Sequence, residues 1–228
     1  MALSIAIVGL PNVGKSTLFN ALTDNDILAA NYPFATIDPN TGIVPIPDER
    51  LAKLAELYKS QKIVPATVTF VDIAGLVAGA SKGEGLGNQF LANIRCCNAI
   101  CHVVRAFSDS NVQHVDEKHD PKRDIDVINT ELVLADLQTV EKRLPVLQKE
   151  AKANTKIKPL LEAIEHTLDL LNKDEPLISK QSEFDPEVWS WLQKELQLLT
   201  MKPVIYLFNV DENTLQDKAA QKQLSDLV

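Results

Sequence analysis

The stretch "GLPNVGKST", Gly9 to Thr17, constrains the fold of this chain more than any other segment. It matches the pattern G-x-x-x-x-G-K-[ST] and follows an apolar run that predicts a strand over Ser4 to Val8. A helical pattern then covers Lys15 to Leu22. The order of strand, glycine-containing loop and helix is the context that a phosphate-binding loop requires, and it predicts an α/β fold.

The residue types in this loop indicate its chemistry. Gly9 and Gly14 allow the backbone to wrap an anion, so that successive N–H groups and the helix N-terminus point at phosphates. Lys15 adds a positive charge between the β- and γ-phosphates, and Ser16 supplies a hydroxyl to Mg²⁺. The alternative, a glycine turn that matches the pattern by chance, is disfavoured by the strand and the helix on either side.

Three further β-branched runs predict strands, and they alternate with helical patterns. The strands cover Val68 to Asp72, Ala99 to Arg105 and Val204 to Asn209, and a helix is predicted over Gly87 to Cys97. This alternation is typical of a mostly parallel sheet covered by helices. His102 lies inside an apolar strand and is predicted to be a core residue rather than a ligand.

Between the last two predicted strands, the apolar residues adopt the heptad spacing of a helical seam. Two such runs flank the segment "AKANTKIK", which predicts an antiparallel helical hairpin. Pro145 lies inside the first run and is expected to kink or split that helix. Asp185-Pro186 predicts the start of another helix, because a capping residue followed by proline favours a first turn. The two runs consist of Val133, Leu137, Val140, Leu144 and Leu147, and of Leu161, Ile164, Leu168 and Leu171.

Composition excludes several classes of function. A chain of 228 residues with 45% hydrophobic content can bury one good core. Its formal net charge of −8 argues against sequence-independent binding of nucleic acid. No sequence-specific DNA partner is expected.

Cys96, Cys97 and Cys101 lack the spacing of a metal site and are interpreted as reduced thiols in a cytosolic core. The N-terminus is interpreted as a strand rather than a signal peptide, and a cytoplasmic protein with no membrane partner is expected.

Two more segments carry residues suited to metal and phosphate. "TFVDIAG" ends a strand at Asp72 and has Gly75 three residues later. In that position a carboxylate can hold a metal-bound water and a glycine N–H can meet the γ-phosphate, although any strand-to-turn junction could show the same pattern. Thr36, in "NYPFATIDPN", is either a plain turn threonine or a switch hydroxyl that reaches Mg²⁺ only when the γ-phosphate is present.

The chain resembles the Obg-related GTPases, and specifically the YchF-type Obg-like ATPases, in the stretches "GLPNVGKSTLFNALT", "NYPFATIDPNTGIVPIPDERLAKL", "DIAGLVAGASKGEGLGNQFLANIR" and "NVDE". The resemblance covers essentially the whole chain. It implies a P-loop NTPase G domain over residues 1–124, interrupted by an α-helical coiled-coil insertion over 125–200 and continued over 201–228. It also implies a following TGS domain, so the chain is expected to be an N-terminal fragment.

The segment "NVDE" stands where GTPases place Asn-Lys-x-Asp. Glu212 is one methylene longer than the Asp that accepts hydrogen bonds from guanine, and Val210 cannot replace the Lys stem over the ring. A lost bidentate base contact costs about 1–3 kcal/mol, so a guanine preference is not expected. The resemblance implies ATP preference, with adenine met by backbone groups near Val210 and by Asn209. The alternative is a plain strand end before a helix cap.

The sequence leaves open which group positions the attacking water. Related switches place a water-orienting glutamine where this chain has Leu76, and the alkyl side chain of leucine cannot form a hydrogen bond to the water. His114 resembles a mobile-loop histidine proposed as catalytic in the family; the alternative is a solvated loop histidine. Asn12 resembles an asparagine that holds a potassium ion; the alternative is an asparagine that fixes a turn. With Lys15 and Thr36, His114 completes the predicted catalytic set.

The resemblance therefore implies a slow Mg²⁺-dependent ATPase that works with the large ribosomal subunit as a translation or stress regulator. A nucleotide-gated binding module with little catalysis and a GTP-specific switch are the alternatives. The predicted metal ligands are Ser16, Thr36 and, through water, Asp72 for Mg²⁺, with Asn12 for K⁺. The predicted nucleotide-binding residues are Asn12, Val13, Gly14, Lys15, Ser16, Thr17, Gly75, Asn209, Val210 and Glu212.

Overall fold

The computed structural model describes residues 3–23, 40–73, 86–107 and 120–228. Five strands form one sheet in the order β2-β3-β1-β4-β5, in which only β2 runs antiparallel to its neighbour. This confirms the predicted mostly parallel sheet, and the four predicted strands end within one residue of the observed bounds. The strands are β1 (Leu3–Val8), β2 (Asn40–Pro45), β3 (Thr67–Asp72), β4 (Ala99–Ala106) and β5 (Val204–Val210).

Helices cover the sheet and build a second layer beyond it. The α-helices are α1 (Lys15–Thr23), α2 (Glu49–Tyr58), α3 (Leu86–Arg95), α4 (Pro121–Ala153), α5 (Lys158–Asn172), α6 (Pro186–Trp191), α7 (Glu212–Gln216) and α8 (Lys218–Ser225). Short 3-10 segments cover Thr155–Ile157, Leu177–Glu183 and Leu199–Met201, and a π-helical turn covers Leu192–Leu196. Strand β2 and helix α2 were not predicted from the sequence. No helix in the described ranges has both the length and the apolar character needed to cross a membrane.

The parallel strands bring distant residues to one end of the sheet. β1 lies between β3 and β4, with Ile7 beside Asp72 and Val8 beside His102. On the other side of β4, Arg105 pairs with Asn209 of β5. Because parallel strands share a carboxyl end, the loop after β1, the end of β3 and the end of β5 all meet there.

A second hydrophobic core holds the helical hairpin together. All nine residues of the two predicted heptad runs belong to this core, together with Trp189 and Leu192, so the predicted hairpin is confirmed. The expectation that Pro145 splits the first helix is wrong, because α4 continues from Pro121 to Ala153. Val140 and Leu147, one on each side of Pro145, are fully buried in the hairpin core and fix both halves of the helix.

Helix α4 belongs to both hydrophobic cores. The first core, called the sheet core here, lies between the sheet and its helices and includes Ile7, Phe19 and Ile100. Ile128, Leu132 and Ala135 of α4 pack in this sheet core, whereas Val133 and Val140 pack in the core of the hairpin. The helix begins with Asp120, whose side chain accepts hydrogen bonds from the N–H groups of the first turn. The sheet and the hairpin are therefore joined by one continuous helix.

A buried carboxylate fastens α4 to the segment that leads into β5. Asp136 is completely buried and accepts hydrogen bonds from the Leu199 N–H, the Thr200 N–H and the Thr200 hydroxyl, each at 2.8 Å. Arg95, at the end of α3, lies 3.5 Å from the same carboxylate and donates to Thr139 at 2.9 Å. Three separate parts of the chain thus meet at Asp136.

Several smaller predictions can be compared with the structure. Asp185 caps α6 by accepting from the Glu187 N–H at 2.8 Å, which confirms the predicted helix start. Cys97 and Cys101 are buried as predicted, but Cys96 is exposed because it lies in the turn that follows α3. The predicted core placement is therefore wrong for Cys96.

Candidate functional site

Close packing against β4 and β5 fixes the glycine loop between β1 and α1. A Cβ atom on Gly9 would collide with the backbone carbonyl oxygen of Val103, and one on Gly14 would lie 2.5 Å from Asn209 Nδ2. Gly14 has φ 99° and Asn12 has φ 61°, both in the left-handed region. Glycine enters this region freely and asparagine tolerates it better than most residues. Contact with the backbone therefore requires glycine at position 9, whereas at position 14 glycine is favoured mainly by the left-handed backbone.

Lys15 is held inside the loop with little solvent around it. Its side chain is 7% exposed, and Nζ donates a hydrogen bond to the Leu10 carbonyl at 2.7 Å. Burial lowers the pKa of Lys15 to about 8, and the nearby charge of Asp72 offsets part of that effect. An ammonium that is poorly solvated gains strongly from an additional anion. The loop is therefore arranged to bind a negatively charged group.

Ser16 and Asp72 form the adjoining part of the site. The Ser16 hydroxyl donates to Asp72 Oδ2 at 2.8 Å, although 56 residues separate the two in the chain. The other carboxylate oxygen, Oδ1, is buried and has no hydrogen-bond partner in the part of the chain that the structure describes. Burial raises the pKa of Asp72, whereas the Ser16 hydrogen bond and the Lys15 charge act in the opposite direction. A hydroxyl beside an unsatisfied carboxylate oxygen fits the oxygen ligands that Mg²⁺ prefers.

Asn209 connects the end of β5 to the loop. Its Nδ2 donates to the Val13 carbonyl at 3.0 Å across 196 residues of sequence. The sequence predicted Asn209 as a base contact and did not anticipate this bond, because neither spacing nor periodicity relates residues so far apart. The side chain that marks the base-binding segment thus also holds the phosphate-binding loop in place.

The acidic residues after β5 have different environments. Asp211 caps α7 by accepting from the Thr214 N–H at 2.8 Å, and this bond lowers the pKa of Asp211. Glu212 is the exposed first residue of α7, and Val210 is the half-buried last residue of β5. The Asp211 carboxylate is therefore engaged in capping α7, whereas the longer side chain of Glu212 projects from the exposed first turn of that helix.

The structure describes most of the predicted site residues, and it brings together all but a few of those. The structure gathers most of them at the carboxyl end of the sheet, while Thr17 is exposed on α1. Thr36, Gly75, Leu76 and His114 lie outside the described residues. His102 is buried as predicted, and burial, reinforced by the Lys15 charge, lowers its pKa to about 4, so it is neutral near pH 7. The gathered residues are Asn12, Val13, Gly14, Lys15, Ser16, Asp72, Asn209 and Val210.

Comparison with known proteins assigns this geometry to a family. The family described as 50S ribosome-binding GTPase matches residues 4–135, which is more than half of the chain. The chain belongs to this family. Its sheet, its phosphate-binding loop and its helical insertion agree with the P-loop G domain that was predicted from the sequence.

Individual relatives identify one group of proteins within the 50S ribosome-binding GTPase family. The chain is 51% identical to the ribosome-binding ATPase YchF of Bacillus subtilis over 228 residues, which are 100% of this chain and 62% of the relative. It is 50% identical to the ribosome-binding ATPase YchF of Escherichia coli O157:H7, with the same two coverages. The structure of the Schizosaccharomyces pombe YchF GTPase matches with a TM-score of 0.76 and 39% identity, over 99% of this chain and 61% of that one. These relatives confirm the resemblance to the YchF-type proteins, and the chain spans about three fifths of their length.

Proposed function

We propose that this protein is a Mg²⁺-dependent P-loop NTPase that binds ATP in preference to GTP and hydrolyses it slowly. The observation that carries the proposal is the cluster beside the glycine loop, in which Lys15 and Asp72 are buried and the Ser16 hydroxyl donates to Asp72. The names of the two bacterial relatives support ATP as the nucleotide and the ribosome as the partner. The proposal places the protein in the cytoplasm, as a regulator of translation or of the stress response.

The chain's own groups explain how a triphosphate would be held. The loop N–H groups and the N-terminus of α1 would face the phosphates, and Lys15 would exchange its bond to the Leu10 carbonyl for bonds to phosphate oxygens. Ser16 would hold Mg²⁺ directly and Asp72 would hold it through a water. When bound, the ion neutralises charge on the β- and γ-phosphates. In this proposal Thr36 and the Gly75 N–H complete the γ-phosphate contacts.

The base preference follows from the acidic residues after β5. Guanine requires a carboxylate to accept from N1–H and N2–H₂, but Asp211 is committed to capping α7 and Glu212 extends from an exposed turn. Adenine needs no carboxylate, because backbone groups near Val210 can pair with its N1 acceptor and N6 donor. A site that lacks the matching acceptor leaves guanine donors unpaired, which disfavours GTP.

Exchanging the base-binding residues is expected to change the preference between ATP and GTP. The wild-type protein should bind ATP at least about tenfold more tightly than GTP, and Val210→Lys combined with Glu212→Asp should shift the affinity ratio about tenfold towards GTP. Calorimetric titration with both nucleotides gives the ratio of their affinities, and single-turnover hydrolysis gives the ratio of their rates. Gln216→Lys, which adds the same charge at the other end of α7, is the matched control. An unchanged ratio in the double variant would show that the base is selected elsewhere.

The attacking water requires a partner other than Leu76, and we propose His114 for this role. His114→Ala should lower the single-turnover rate of ATP hydrolysis roughly 100-fold, while ATP affinity stays within about threefold. His119→Ala, in the same segment, is the control. A wild-type rate in His114→Ala, combined with a strong loss when sodium replaces potassium, would transfer the role to an ion at Asn12. Insensitivity to both changes would favour the nucleotide-gated binding module.

A further inference from the structure

A cavity of about 570 Å³ lies where the helical hairpin meets the sheet. Helix α4 contributes Asp126 and Asn129, the segment after α5 contributes Asp174 and Ile178, and β5 contributes Tyr206. Among the residues that the structure describes, none of those proposed to hold the nucleotide lines it. Its volume lies within the range of about 300–1,000 Å³ that is common for small-molecule sites.

The inner side of this cavity is apolar. It is lined by Leu132 and Leu199, which belong to the sheet core and are 4% and 0% exposed. Tyr206 adds an aromatic ring, and its hydroxyl accepts a hydrogen bond from Asn129 Nδ2 at 3.4 Å. In this long bond the hydroxyl oxygen is the acceptor, so its own proton is available to another acceptor. The cavity therefore offers an apolar surface with a polar group at its edge.

The charged side chains that line the cavity are all negative. Asp126 and Asp174 both line the cavity, and its described lining contains no lysine, arginine or histidine. Asp126 pairs with Lys122 at 3.2 Å, but both side chains are more than half exposed, so this pair is worth little.

The lysines nearest to Asp174 in the sequence are committed to other carboxylates. Lys173 pairs with Asp169 at 2.6 Å, and Lys180 pairs with Glu175. Asp174 itself has φ 60°, so the turn after α5 holds its backbone in the left-handed region. The cavity consequently has a negative charge that its own neighbours leave largely uncompensated.

We propose that this cavity binds a small organic cation, in which an ammonium group is carried on an apolar or aromatic body. The body would pack against Leu132 and Leu199, the ring of Tyr206 would lie near the cation, and Asp126 and Asp174 would balance its charge. Such a ligand would bridge α4, the segment after α5 and β5, and would therefore stabilise the junction of the hairpin with the sheet.

The test uses 2-phenylethylamine, which is a cation at pH 7, and 2-phenylethanol, its neutral counterpart. Calorimetric titration should show one saturable site for the amine with a Kd on the order of 1 mM or lower, and at least about tenfold weaker binding of the alcohol. The amine should also raise the melting temperature. No saturation by about 10 mM amine, or equal affinity for the alcohol, would overturn the proposal.

Variants locate the binding to this cavity. Asp174→Asn and Asp126→Asn together should weaken amine binding at least about fivefold, whereas Glu162→Gln, an exposed neutralisation on α5, should leave it unchanged. Both aspartates lie at the surface, so their substitution should preserve the fold, and an unchanged far-ultraviolet circular dichroism spectrum verifies this. Undiminished amine binding in the double variant would place the ligand elsewhere and refute the proposal.

Discussion

Replacement of Lys15 by methionine should abolish most triphosphate binding and at the same time stabilise the nucleotide-free protein. The affinity for ATP is expected to fall by about 10²- to 10³-fold, because the variant lacks the charge between the β- and γ-phosphates. Calorimetric titration measures this loss, and Lys53→Met on the exposed surface of α2 is the control. An affinity within threefold of wild type would refute the assigned role of Lys15.

The Lys15→Met variant gains stability because it no longer has to bury the ammonium group of Lys15, which is unfavourable in the wild-type protein. The pKa of Lys15 is about 8 in the folded protein and about 10.5 when it is unfolded. Lysine is charged in both states below about pH 8, and only the unfolded state keeps the proton between about pH 8 and 10.5. The cost therefore applies in full at pH 7 and disappears as the pH rises through this window.

Urea unfolding of the nucleotide-free protein measures this effect. At pH 7, Lys15→Met should gain roughly 1–2 kcal/mol, because the relieved burial exceeds the lost bond to the Leu10 carbonyl and the lost attraction to Asp72. The gain should shrink at pH 9.5, where the wild-type lysine is neutral in the folded state. A variant less stable than wild type at pH 7 would show that those two contacts outweigh the cost of burial.

Truncation of Asp136 to alanine should lower the free energy of unfolding by about 3–4 kcal/mol. It leaves the two N–H groups of Leu199 and Thr200 and the Thr200 hydroxyl without their acceptor, and it leaves Arg95 partly buried beside them. Asp136→Asn should cost less, about 2 kcal/mol, because one carbonyl oxygen can still accept. Glu141→Ala, an exposed position on α4, is the control. A loss below about 1 kcal/mol for Asp136→Ala would mean that water satisfies these donors.

The elements that sequence patterns predicted are those with a local signal. The apolar strands and the heptad spacing of α4 and α5 depend on neighbours within a few residues, and both were recovered. Strand β2 was missed because its six residues include Gly42 and Pro45 and form an edge of the sheet, so no apolar alternation marks them. Helix α2 had a usable signal in Asp48, which caps it, but the helix buries none of its residues.

The candidate site shows the same division between local and distant information. The glycine loop is one continuous motif, and Asp72 follows it at the end of a clear strand, so both could be selected from the sequence. The bond from Asn209 to the Val13 carbonyl and the bonds at Asp136 join segments 196 and 63 residues apart. Such contacts depend on the order of the strands in the sheet, which no local pattern specifies.

Helix α4 has a mechanical consequence because it is long and continuous. Its 33 residues extend about 50 Å from the sheet core into the hairpin core, where α5 and Trp189 stiffen it. About 18 residues of α4, or roughly 27 Å, lie beyond Ala135, its last residue in the sheet core. A tilt of about 5° at that point would displace the far end of the helix by about 2 Å. The helix therefore has the geometry of a lever, because any small tilt beside β4 is enlarged with distance along α4 and is greatest at the tip of the hairpin.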